Sequence, residues 1–117
     1  MNNLKSKDID FQELFIRISG NKDLAKRMLF SFFSSYKENI KLLNDFLEKD
    51  NFVLAKKINH KLLGVLGNLA IKNAFFISLN LGKSLENKKI DIAKKLSKDL
   101  ELKLKIAKKT FEENKVF

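Results

Sequence analysis

Leu54-Ala55-Lys56-Lys57-Ile58-Asn59-His60-Lys61-Leu62-Leu63-Gly64-Val65-Leu66-Gly67-Asn68-Leu69 decides how this chain folds. A helix advances about 100° per residue. With His60 at zero, Leu54, Ala55, Ile58, Leu62, Val65, Leu66 and Leu69 all fall within about 60° of the opposite pole. That spacing predicts an amphipathic helix over about 51–67, with Asp50 as its cap. Its apolar stripe seeks a core, and His60 points away from it.

The same period continues on both sides. A short helix is expected from Asp10, where Asp10-Phe11-Gln12-Glu13 has capping-box character, with Phe11, Leu14, Phe15 and Ile18 on one face. Gly20 is placed to end it and Asn21 to cap the next helix. That second helix runs to about Lys49 and carries Leu24, Met28, Phe32, Tyr36, Ile40, Leu43 and Leu47 on one side. A fourth helix is expected over about 70–86. A fifth, over about 89–113, shows Ala93, Leu96, Leu100, Leu104, Ala107 and Phe111 at spacings of three and four. No segment alternates with period two. Four long amphipathic helices joined by short connections predict an all-α, antiparallel up-down four-helix bundle with a short extra N-terminal helix. No repeat or linker divides residues 1–117, so one domain is expected.

Composition agrees and narrows the chemistry. The chain has 117 residues, 44% of them apolar, with no Pro and four Gly, which permits long uninterrupted helices. It has no Cys and one His, so thiolate chemistry is excluded and a structural zinc site is not expected. No nucleophile elbow, P-loop or kinase glycine loop is present. No stretch approaches the roughly 20 apolar residues of a membrane span, and the polar start Met1-Asn2-Asn3-Leu4-Lys5 lacks a signal-peptide core. The cytoplasm is the expected compartment, and no membrane partner is expected.

The net charge is +10, which suits nucleic acid, an anionic surface or an acidic protein partner. Only Arg17 and Arg27 among the 24 basic residues are arginine, the usual bidentate reader of bases and phosphates. The lysines are spread along the chain instead of forming one stripe. A solvated lysine-rich surface is the plainer account, and no nucleic-acid partner is expected.

His60 is the one side chain suited to covalent chemistry. An imidazole is substantially neutral, and so nucleophilic, near neutral pH. Gly64 and Gly67 follow it by one and two turns and lie within about 40° of it. Each glycine inside a helix costs about 1 kcal/mol relative to Ala. Two on the face of the only His imply that something approaches that face closely, although Gly67 could simply end the helix. Lys56, Lys57 and Lys61 stand nearby. A phosphorylated side chain carries about two negative charges, and each ammonium at about 4 Å in water offsets roughly 1 kcal/mol of that.

The run Ile58-Asn59-His60-Lys61-Leu62-Leu63-Gly64-Val65-Leu66-Gly67-Asn68-Leu69 resembles the signature of histidine-containing phosphotransfer (HPt) domains, matching at His60, Leu62, Gly64, Gly67, Asn68 and Leu69. Upstream, a short helix, an Arg17-to-Gly20 turn and a long helix with the aromatic pair Phe32-Phe33 are similar to the family pattern. The resemblance spans about residues 8–86. It implies a helical bundle with an exposed phosphoacceptor His60. It also implies reversible exchange of a phosphoryl group with an aspartate of a response-regulator receiver domain, or receipt from a sensor histidine kinase. The chain would act as a monomeric carrier with no cofactor of its own; the Mg²⁺ belongs to the receiver. The sequence departs at the residue three after His60, where the family's lysine is Leu63. Lys61, Lys56 or Lys57 could substitute, or Leu63 could enlarge an apolar rim on which a receiver docks. Ala70 stands where the family often has glycine, and Leu85-Glu86 is the candidate for a Leu-Glu pair on the next helix. The competing reading is a non-catalytic helical binding module that docks a receiver or another acidic partner.

Overall fold

The computed structural model describes residues 8–114. The described residues form five helices: α1 (Phe11–Arg17), α2 (Lys22–Glu48), α3 (Phe52–Asn68), α4 (Lys72–Glu86) and α5 (Ile90–Glu113). No strand occurs among the described residues. The termini Met1–Lys7 and Lys115–Phe117 lie outside the described residues, including the polar start noted above. At about 1.5 Å per residue α2 is roughly 40 Å long, and it sets the long dimension of a 42 × 22 × 22 Å molecule. Among the described residues no helix is long and apolar enough to cross a membrane.

Side-chain caps mark the starts of α1, α2 and α3, whereas α4 and α5 start without one. The backbone N–H of Glu13 donates to Asp10 Oδ1 (3.0 Å), and that of Leu24 to Asn21 Oδ1 (3.0 Å). The third start differs from the expectation. Asn51, not Asp50, caps α3, its Oδ1 accepting from Leu54 N–H (3.1 Å). Asp50 instead takes a left-handed conformation (φ 53°) that closes α2.

One turn design recurs at four helix ends. Ser19, Asp50, Ala70 and Lys88 all have positive φ. The residue after each donates its N–H back to a carbonyl five positions earlier: Gly20 to Phe15, Asn51 to Phe46, Ile71 to Leu66 and Lys89 to Ser84. These bonds satisfy carbonyls that a helix end otherwise leaves without partners. Ala70, at the position where the resembled family often has glycine, holds the left-handed conformation without one (φ 56°).

Each turn between α2 and α5 is three residues long, and each helix packs against the one it follows. Helix α2 packs against α3 and α5, and α4 packs against the same two. The space they enclose is filled by Leu29, Phe33, Tyr36, Leu43, Ala55, Leu62, Leu66, Leu81, Leu100 and Leu104, all buried. Each fully buried Leu contributes on the order of 2 kcal/mol.

Helix α1 braces one end of the molecule. Asp10 N–H donates to the Ala70 carbonyl (2.8 Å), tying the start of α1 to the α3–α4 turn. Lys72 Nζ donates to Glu13 Oε1 (2.9 Å), and Arg17 pairs with the same carboxylate (3.3 Å). The hydrogen bond from Lys72 holds the Glu13 carboxyl below the usual carboxylate range, against the opposing effect of partial burial; the charges of Lys72 and Arg17 add to the lowering.

Candidate functional site

The buried arc of α3 consists of Ala55, Asn59, Leu62 and Leu66, with Leu69 just beyond the helix. Its centre is rotated by about 40° from the pole that the apolar stripe defines. The rotation leaves Leu54 39% exposed and draws Asn59 inside, at 3%. His60 stays on the exposed side.

Asn59 explains the rotation. Its Nδ2 donates to the Ser78 carbonyl on α4 (3.0 Å), and the Ser78 hydroxyl donates to Asn59 Oδ1 (2.8 Å). This buried reciprocal pair satisfies groups that would otherwise be desolvated without partners. Gly82, one turn after Ser78, leaves room for it: a Cβ there would sit 3.2 Å from Asn59 Nδ2.

A cleft lies between the two helices beside His60. Its volume is about 490 Å³, with Lys56, Lys57, His60 and Leu63 on the α3 wall and Leu79, Lys83 and Glu86 on the α4 wall. Lys56 pairs with Glu86 (3.4 Å) near one end. Leu63 and Leu79 line the cleft toward the other. Neither Lys57 nor Lys83 forms an ion pair among the described residues. Three lysines and one glutamate leave this cleft with two net positive charges.

Lys61 lies elsewhere. It lines a groove on the other flank of α3, against α2, with Arg27, Met28, Phe32, Leu62 and Val65. Of the lysines beside His60 in sequence, Lys56 and Lys57 therefore share its cleft and Lys61 does not.

The two glycines after His60 differ in the same way. Gly64 has open space where a Cβ would stand, so the surface one turn from His60 is unobstructed. Gly67 already has a close neighbour, because a Cβ there would meet the Phe75 ring at 3.2 Å. Its carbonyl also accepts from the Arg17 guanidinium. The close approach at Gly67 thus comes from this chain's own α4 and α1.

Sequence reading missed Lys83 and the Asn59–Ser78 pair. Periodicity gives each helix a face, but it does not say which residues of another helix lie across from it. Glycine at position 82 within a helical run was a signal of close helix approach. Among the described residues no group of three or more His, Cys, Asp or Glu side chains could hold a metal ion. Comparison with protein-family models, with curated proteins and with solved structures finds no match.

Proposed function

We propose that this chain is a histidine phosphotransfer protein that accepts a phosphoryl group on His60 and exchanges it with an aspartate of a response-regulator receiver domain. The observation that carries the reading is the setting of His60. It is exposed in the middle of α3, in a cleft with two net positive charges, next to the open surface at Gly64. A carrier needs an accessible nucleophile and charge compensation for the group it holds, and no nucleotide pocket.

In the proposed step an imidazole nitrogen of His60 attacks the phosphorus of the receiver's aspartyl phosphate. The N–P bond forms, the P–O bond to the aspartate breaks, and the carboxylate leaves. The imidazole proton passes to solvent. Mg²⁺ required for the exchange is assigned to the receiver. The fold in this reading is an antiparallel up-down four-helix bundle of α2 to α5, with α1 across one end. The closed cycle of packing and the three-residue turns support it. A sensor histidine kinase is the alternative donor, and a monomer in the cytoplasm is the proposed state.

The test is incubation with phosphorylated receivers, or with a sensor kinase and ATP. Acid-labile label is expected on the native protein and none on His60→Gln. Absence of label on the native protein, or equal label on the variant, overturns the reading. Leu63 supports a second one. It is half-buried in the cleft beside Leu79 and carries no charge, which suits a binding module docking a receiver or another acidic partner. A receiver that binds tightly without transferring phosphate would favour that module.

A further inference from the structure

We infer that Lys83, on α4, is the cation that holds the phosphoryl group on His60, acting from across the helix pair where Leu63 cannot act from its own helix. The inference rests on the phosphotransfer reading and names the residue that makes it electrostatically workable.

The register of α3 against α4 places Lys83. Lys56 pairs with Glu86 (3.4 Å), and the space over Gly82 is filled by Asn59. Lys83 lies between these two contacts on α4, as residues 57 and 58 lie between them on α3. It therefore stands about level with the segment that leads into His60, and it lines the same cleft.

Rotation gives the same answer. Asn59 faces α4 and lies about 100° from His60 on the wheel, while Lys61 lies about 100° away in the opposite sense. Leu63 lies about 60° from His60 on the α4 side. A cation three residues after His60 would thus project into the cleft shared with α4, and Lys83 enters that cleft from the facing wall.

The other lysines are less suited. Lys61 belongs to the groove with α2. Lys56 is engaged by Glu86. Lys57 is available, but it lies about 60° from His60 on the side away from α4. Lys83 has no carboxylate partner among the described residues, so no ion pair there has to be broken. A water in the liquid takes up about 30 Å³, so the 490 Å³ cleft admits the four heavy atoms of a phosphoryl group with room to spare.

Phosphoramidate is the probe, because a small donor needs no docking surface. A His60 nitrogen attacks its phosphorus, the N–P bond to His60 forms, the donor's P–N bond breaks, and ammonia leaves with the proton. Rates of labelling and the half-life of the labelled protein are measured for the native chain, Lys83→Gln, Lys83→Arg and Lys61→Gln. Lys83 is exposed, so its replacement leaves the core intact. Lys83→Gln is expected to slow labelling by roughly fivefold at low salt, the effect of one charge at about 4 Å in water. The deficit should shrink as ionic strength rises. Lys83→Arg should return the rate to within about twofold of native, and Lys61→Gln should leave it there, as expected for one charge restored and one outside the cleft. Native labelling with an unaffected Lys83→Gln, or a deficit that Arg fails to rescue, overturns the role of Lys83 alone. Absence of label on the native chain overturns the phosphotransfer reading and this inference with it.

Discussion

The two flanks of α3 are built differently. On the α4 side a polar side chain is buried: Asn59 and Ser78 exchange hydrogen bonds, and Gly82 lets the helices close on them. On the α2 side no described side-chain hydrogen bond joins the helices: Leu62 and Phe32 are buried in the shared core, and Met28, Val65, Ser31, Ser35, Arg27 and Lys61 line an open groove. Apolar contact is tolerant of small slides and rotations. Reciprocal hydrogen bonds are not, because each requires a particular distance and angle. The position of His60 relative to α4 is therefore tightly specified, and relative to α2 much less so.

The largest expected effect is at Asn59. Asn59→Ala leaves the Ser78 hydroxyl without its partner in a buried site and removes the bond to the Ser78 carbonyl, a cost of about 2 kcal/mol. Lys61→Ala on the other flank should stay within about 0.5 kcal/mol of native. Urea unfolding of both variants measures the difference, and equal midpoints would dissolve the distinction between the flanks. Restoring an apolar match with Asn59→Leu and Ser78→Ala together should recover much of the loss, since removing both partners leaves nothing unsatisfied.

A smaller effect sharpens the contrast among the glycines. Gly64→Ala meets open space, so it should stabilise the protein by about 1 kcal/mol through helix propensity alone. Gly82→Ala should gain less or lose, because the Asn59 amide at 3.2 Å is held by two hydrogen bonds and has little freedom to yield. Thermal unfolding ranks the two. Phosphotransfer assays on Gly64→Ala add a second reading: unchanged labelling by phosphoramidate with slower transfer from a receiver would mark Gly64 as a docking position.

The smallest effect concerns the end where α1 braces the α3–α4 turn. Glu13→Gln should cost less than about 1 kcal/mol near neutral pH, as partly exposed ion pairs do. The Glu13 carboxyl titrates lower in the folded protein than in the unfolded chain. Its contribution is therefore fully present above the ordinary carboxylate range and is lost as pH falls through the lowered value. Native and Glu13→Gln stabilities should converge in acid. A gap that persists there would assign the effect to packing instead of charge.

Much of this architecture was legible in the residues. The caps at Asp10 and Asn21, the stripe from Phe32 to Leu47 and the outward His60 all follow from local propensity and period. The cap at Asn51 was misread because two adjacent residues can both cap, and only the turn geometry assigns Asp50 to the left-handed position. Leu54 was expected inside and is exposed because Asn59 turns the helix toward Ser78. Lys61 is adjacent to His60 in the chain and lies in the other groove, whereas Lys83 is distant in the chain and shares its cleft. A wheel describes one helix at a time, so it cannot report the register between two.

The Asn59–Ser78 pair also makes the electrostatics of His60 a matter of discrete steps. If α4 slid along α3 by one helical turn, about 5.4 Å, both hydrogen bonds would be lost. The place now held by Lys83 would pass to Leu79 or Asn87, depending on the direction, and neither carries a charge. Intermediate slides would leave the buried amide and hydroxyl mismatched. The pair thus works as a detent: one axial setting puts a lysine beside the histidine, and its neighbouring settings would leave that place neutral.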